Sequence, residues 1–84
     1  MIYHIVVVRD RAADVYAQPM FVTSIGSAIR SFGDEINRAD QSNMLNAHPE
    51  DFDLFQLGTY DDSSGSFDVY SPRQIAIGKD LVRG

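Results

Sequence analysis

One segment of this 84-residue chain, residues 23–38, has the periodicity of an amphipathic helix. Its apolar side chains recur at intervals of three and four residues and form one stripe, composed of Ile25, Ala28, Ile29, Phe32 and Ile36. Thr23 or Ser24 can cap the first turn by accepting a hydrogen bond from a free backbone N–H. Because no other segment has a comparable helical pattern, the sequence predicts one main helix, and the remaining structure must pack onto its stripe.

Other stretches have the composition of β-strands. Residues 2–9 are rich in β-branched side chains and apolar on both faces, which is typical of a central strand covered on two sides. Residues 52–60 and 66–70 flank a loop of Asp, Ser and Gly, which predicts a β-hairpin. In the second hairpin strand, the alternation predicts that Phe67 and Val69 point inward.

The rest of the chain completes a small α+β domain. Pro72 breaks the hairpin strand, and we expect residues 74–78 to form a fourth, edge strand. We expect residues 20–22 to enter the helix as an extended segment, with Phe21 packed against the first helical turn.

The order of these elements is β-α-β-β-β. The sequence therefore predicts one domain, residues 1–84, with an antiparallel-rich sheet of three to four strands and the main helix on one face. One helix cannot cover both apolar faces of such a sheet. We therefore expect a second copy of the chain to bury the other face, in a dimer or a higher oligomer.

Charge and cysteine content narrow the classes of function. The chain has 7 basic and 12 acidic residues and a net charge of -5, whereas nucleic-acid-binding proteins usually carry a basic surface. Without cysteine it has neither disulfides nor a thiolate zinc site, which fits a reducing cytoplasm. The longest apolar run, residues 5–8, is far too short to cross a bilayer, so we expect a soluble protein without a membrane partner.

No arrangement of residues indicates catalysis. One histidine–carboxylate cluster is present, composed of His48, Glu50, Asp51 and Asp53. It is a contiguous run interrupted by Pro49, and a solvated turn explains it better than a metal site or an acid–base pair. Phosphate-loop motifs and calcium-loop spacing are absent from the sequence. The sequence therefore predicts no enzyme, no metal site and no cofactor.

A nucleic-acid-binding surface is the remaining candidate site. The candidate residues combine positive charge with outward tyrosines that could stack on bases: Arg30, Arg38, Tyr60, Tyr70, Arg73 and Lys79. The same residues allow a structural interpretation. In it the arginines pair with Asp34, Glu35 or Asp40, and the tyrosines border an oligomer interface. At the level of sequence both interpretations stay open.

Several motifs occur in order along nearly the whole chain. Gln-Pro-Met-Phe at 18–21 precedes Gly-Ser-Ala-Ile-Arg-Ser-Phe at 26–32. Residues 48–58 are His-Pro-Glu-Asp-Phe-Asp-Leu-Phe-Gln-Leu-Gly, and Asp-Asp-Ser-Ser-Gly follows at 61–65. Pro72 with Ile-Ala at 75–76 closes the series. Together these motifs resemble the small non-structural protein of gokushoviruses, the microviruses with single-stranded circular DNA.

This resemblance implies a phage protein that acts in the host cytoplasm and is not part of the virion. Its implied role is a DNA-binding accessory, without catalytic residues, that helps to switch replication from duplex copying to single-stranded genome synthesis and packaging. Among the motif residues, Arg30 is the hardest to explain as part of the core. It is therefore the first candidate for a contact with a phosphate or with a partner. The alternative is a non-enzymatic adaptor that binds the phage replication initiator, a packaging complex or a host replication factor through its acidic surface.

Overall fold

The computed structural model describes residues 1–83, which form one curled antiparallel sheet with a long helix on one face. The strands are β1 (Ile2–Asp10), β2 (Val15–Tyr16), β3 (Met20–Val22), β4 (Phe52–Asp61) and β5 (Ser66–Ile77). The helices are α1 (Ile25–Asn37) and the single turn α2 (Met44–Ala47), and 3₁₀ turns span Pro49–Asp51 and Gly78–Leu81. The predicted α+β class, with one main helix on one sheet face, is confirmed.

The sheet is arranged around β1. β4 pairs with one edge of β1, β5 pairs with the far edge of β4, and every pairing is antiparallel. β2 and β3 pair one after the other with the second edge of β1. The chain segment before the helix therefore contributes two short strands, and the predicted extended lead-in at residues 20–22 is β3.

The predicted break at Pro72 is wrong, because β5 runs through it as one strand. The register between β4 and β5 shifts where Gln56 pairs with Arg73 and Gly58 pairs with Val69, so Pro72 lies in a bulge between these pairs. A bulged residue makes no ladder hydrogen bond, and the missing N–H of proline is therefore tolerated there.

Helix α1 buries the stripe that its sequence predicts. Ser24 caps the helix, because its hydroxyl oxygen accepts a hydrogen bond of 3.2 Å from the backbone N–H of Ser27. The buried core combines one face of the sheet with one face of the helix and consists of Val6, Ala28, Phe32, Ile36, Phe52 and Leu54. The sheet face that packs against α1 is called the helix side below.

The opposite side of the sheet is called the outer face below. Ile5 and Val7 lie on it, since Val6 between them belongs to the helix-side core. Ile5 is 5% and Val7 is 1% exposed, so neighbouring side chains of the same chain already cover the middle of this face. Burial of the remaining outer face by a second copy stays a prediction.

Asn43 joins the end of α1 to α2. Its side chain is 5% exposed, and its amide donates hydrogen bonds of 2.8 Å and 2.9 Å to the carbonyl oxygens of Glu35 and Arg38. Its carbonyl oxygen accepts from the N–H of Leu45 and so caps α2. One side chain therefore satisfies the ends of two helices.

We expect Asn43→Ala to lower the free energy of unfolding by about 2–3 kcal/mol, because it leaves these buried backbone groups without partners. Urea unfolding followed by circular dichroism measures the loss. Gln41→Ala, at an exposed position of the same loop, is the control and should change stability by less than about 0.5 kcal/mol. An equal effect of both substitutions would contradict the bridging role.

Candidate nucleic-acid interface

Four aromatic side chains meet on the outer face and form the outer aromatic cluster, defined as Tyr3, Phe21, Tyr60 and Phe67. The register of the sheet assembles them. Tyr60 pairs with Tyr3 on one side and with Phe67 on the other, while Phe21 pairs with Ile5. Paired residues point to the same face, so three strand pairings bring together rings that are far apart in sequence.

The rings are close enough to form one continuous apolar surface. The centroid of the Tyr60 ring lies 4.8 Å from that of Phe67, 5.7 Å from that of Phe21 and 6.5 Å from that of Tyr3. Phe21 is 54% and Phe67 is 60% exposed. Exposed aromatic rings on a sheet can stack on nucleotide bases or pack against another protein.

Two expectations about this surface are wrong. Phe21 does not pack against the first turn of α1, because β3 pairs with β1 and directs Val22, not Phe21, to the helix side. Phe67 and Val69 do not point into the core, because α1 does not cover the outer face onto which the register directs them. In both cases the apolar residues correctly indicate a strand, but they do not show which face of that strand is exposed to solvent.

A second aromatic contact lies on the same outer face, beyond the buried Val7. The rings of Tyr16 and Phe55 meet edge to face with centroids 5.8 Å apart. The guanidinium of Arg9 lies 5.5 Å from the centroid of Tyr16 and also pairs with Asp14 at 2.7 Å. The hydrogen bond to Asp14 raises the pKa of Arg9, whose guanidinium is positively charged at neutral pH with or without this contact.

Among the residues predicted from sequence, the structure brings Tyr70 and Arg73 together. The guanidinium carbon of Arg73 lies 4.3 Å from the centroid of the Tyr70 ring, within the range of a cation–π contact. Tyr70 lies within the bulge of β5 and Arg73 directly follows it, and the Arg73 side chain is exposed. Tyr60 is instead part of the outer aromatic cluster.

The predicted residues of the helix region lie elsewhere. Arg38 is engaged by acids of its own chain, at 2.7 Å from Glu35 and 3.1 Å from Asp40. The hydrogen bond from Arg38 lowers the pKa of Glu35, whereas hydrogen bonds from Ser42 contribute most to the lowered pKa of Asp40. Arg30 is exposed on α1, on the opposite side of the sheet from Tyr60, and Lys79 is exposed in the 3₁₀ turn after β5.

Ion pairs engage most of the basic side chains. Four of the 7 basic residues contact carboxylates of the same chain, in the pairs Arg9–Asp14, Arg11–Asp53, Arg38–Glu35 and Arg83–Asp34. Within residues 1–83, Arg30, Arg73 and Lys79 form no ion pair. Few positive charges are therefore free to neutralise phosphates.

The histidine–carboxylate cluster forms a surface turn. One ligand atom each from His48, Glu50 and Asp51 lies within 4.8 Å of the others, and the His48 and Glu50 side chains are exposed. Asp53 is separate from them, because its buried carboxylate pairs with Arg11 at 3.1 Å and accepts from the N–H of Gly78. We assign no site to this turn. No helix within residues 1–83 is long and apolar enough to span a membrane.

Comparison with known proteins adds to this geometry. The family model described as phage ORF5 protein matches residues 3–81. The chain is also similar to protein ORF5 of Chlamydia phage 1, with 42% identity over 41 residues, which are 49% of this chain and 43% of that protein. The similarity therefore spans less than half the length of this relative. No solved structure matches the chain.

Proposed function

The chain belongs to the phage ORF5 protein family, and from this premise we propose that it is a non-catalytic phage protein that binds single-stranded DNA through the outer aromatic cluster. In this role it acts in the host cytoplasm, outside the virion, and helps to switch replication from duplex copying to single-stranded genome synthesis and packaging. The resemblance to the gokushovirus protein supports this biological role, and the exposed rings support the binding mode.

The observation that carries the proposal is the exposure of several adjoining rings on one sheet face. Stacking of a base on an aromatic side chain contributes about 1–3 kcal/mol per base and is insensitive to sequence. Phe67 is 60% exposed and lies next to the half-exposed Tyr60, so neither ring must leave the core before a base can stack on it. A duplex, whose bases are stacked on one another, offers no such contact.

The positions of the basic residues limit the number of phosphate contacts, and with it the salt dependence of DNA binding. Arg9 lies on the outer face but already pairs with Asp14, whereas Arg73 pairs across the sheet with Gln56 and shares the helix side with Val6. We therefore expect at most about one phosphate contact beside the cluster, and a shallow slope, no steeper than about -1, when the logarithm of affinity is plotted against that of salt concentration. Affinity would come from stacking more than from counterion release.

We expect Phe67→Ser to weaken binding of a fluorescein-labelled oligo-dT by about tenfold, because it removes one stacking ring. Fluorescence anisotropy at two salt concentrations measures the affinity and the slope. Met44→Ser is the matched control, since Met44 is 56% exposed on α2, away from the outer face, and its loss should change affinity less than about twofold. Arg30→Ala should behave like this control, because α1 covers the opposite side of the sheet.

Two results would contradict stacking on the cluster. One is binding that Arg30→Ala abolishes and Phe67→Ser leaves unchanged. The other is a stable dimer, seen by light scattering, that buries the rings and binds no DNA. The second result would instead support the homo-oligomer expected from the apolar outer face.

One observation favours a second candidate function, that of a protein-interaction adaptor. Most basic side chains are paired with acids of the same chain, which leaves the excess of carboxylates to dominate a chain of net charge -5. Such a surface attracts basic proteins rather than phosphates. Its partner would be the phage replication initiator, a packaging complex or a host replication factor.

A further inference from the structure

A groove between α1 and β3 exposes part of the helix-side core. Its cavity has a volume of about 390 Å³ and an aliphatic floor that includes Val6, Val8, Val22 and Leu54. A second cavity of about 550 Å³ continues it toward β2 and shares with it Val8, Met20 and Leu45. The two cavities are called the α1–β3 groove.

The groove arises because α1 lies off-centre on the sheet. On one flank of the helix, Ile29 packs against the core together with Ile75 of β5 and Leu81 of the last turn. On the other flank, no element within residues 1–83 is large enough to fill the space above β3, and Met20 is 46% exposed. The flexible Met20 side chain forms the border between the two cavities and can adapt to different occupants.

The titratable side chains that line the groove are all acidic. Glu35 is the titratable residue that lines the first cavity, and Asp10 is the one that lines the second. Arg38 is shared between Glu35 and Asp40, so these three groups together carry a net negative charge. Asp10 has no basic partner within residues 1–83.

We propose that the α1–β3 groove binds an amphipathic basic segment of another protein, with apolar side chains in the two cavities and Lys or Arg near Glu35 and Asp10. An elongated groove with two cavities suits successive side chains of a helix better than one compact ligand. A second copy of this chain fits poorly, because each copy has a net charge of -5 and like charges would meet at the groove.

This inference gives the adaptor function a site and rests on that second candidate, not on DNA binding. The groove lies on the helix side, whereas the outer aromatic cluster lies on the opposite face. The two surfaces can therefore be tested separately. Phe67→Ser should leave peptide binding to the groove unchanged. A failure of the chain to bind DNA would not contradict the proposal for the groove.

The probe is a labelled synthetic helix with Leu at i, i+3, i+4 and i+7 and Lys at the flanking positions, compared with an analogue in which Glu replaces every Lys. We expect the Lys peptide to bind saturably and the Glu analogue to bind at least about tenfold more weakly. Ser31 is exposed on α1 and lines the first cavity. Ser31→Trp should therefore fill this cavity and lower the affinity for the Lys peptide by about tenfold or more. Ser31→Ala, the matched control, should keep affinity within about twofold.

Methyl NMR shifts show where the peptide binds, and they should change at Val8 and Leu45 on titration. Three results would overturn the proposal: equal binding of the Lys and Glu peptides, an unchanged affinity in Ser31→Trp with a native circular dichroism spectrum, or shifts confined to the outer face. A dimer of the wild-type chain that Ser31→Trp dissociates would also overturn it, since the occupant would then be a second copy.

Discussion

Among the five glycines within residues 1–83, Gly58 is the position where substitution by alanine should destabilise the chain most. Gly58 has φ +153°, and a Cβ there would overlap the backbone oxygen of Asp68 and lie 2.8 Å from the Cα of Val69. The clash is with the backbone of β5, which cannot move without breaking its pairing with β4. We expect a loss of about 4 kcal/mol or more in the free energy of unfolding, measured by urea titration.

Two other glycines separate the causes of this loss. Gly65 has φ +69°, but no atom of residues 1–83 lies within 4 Å of a Cβ built there, so Gly65→Ala should cost only about 1–2 kcal/mol for the backbone conformation. Gly26 lies in α1 with its closest contact at 3.6 Å, so Gly26→Ala should stabilise the chain by about 0.5–1 kcal/mol. If Gly58→Ala cost no more than Gly65→Ala, the close approach of β4 and β5 would be refuted.

The helix is the element that sequence predicts best. The stripe of α1 is determined by local spacing, and Ala28, Phe32 and Ile36 are buried as expected. The family resemblance, which rests on motifs in the same order along the chain, is confirmed by the match over residues 3–81. Both predictions succeed because the pattern behind each of them, an apolar spacing or a motif, lies within a short segment of the chain.

The strands around β1 were less predictable because their pairing is not local. β2 has two residues and β3 has three, too few to show a period of two, and their pairing with β1 decides that they are strands at all. Pro72 is a strand breaker by its chemistry, but the bulge opposite β4 accommodates it.

The candidate site was predicted in part for the same reason. The sequence predicts Tyr60 as an outward tyrosine but does not identify its neighbours Tyr3, Phe21 and Phe67 as part of a site. Alternation tells which residues of one strand share a face, but not which face the single helix covers. Once the register is known, an apolar residue such as Phe67 changes from a core candidate into a surface candidate, and the predicted arginines are seen to lie apart from it.

Gly78→Ala should have the second-largest effect, for a reason unrelated to positive φ. Gly78 joins β5 to the last 3₁₀ turn, and a Cβ there would overlap the backbone oxygen of Phe52, lie 2.5 Å from that of Pro49 and lie 3.1 Å from Ile36 Cδ1. Two of these three contacts are with backbone atoms, and the third is with a fully buried core side chain. We expect unfolding by urea to show a loss of about 3 kcal/mol or more.

A second substitution distinguishes this clash from a general weakness of the chain's last turn. Leu81→Ala removes a side chain that packs against the core from the same 3₁₀ turn, without adding an atom near Phe52 or Pro49. Because Leu81 is only half-buried, its truncation should cost about 1–2 kcal/mol, less than Gly78→Ala. If Gly78→Ala were the milder of the two, the turn would be held by the packing of Leu81, and the close passage of Gly78 between two backbone oxygens would be excluded.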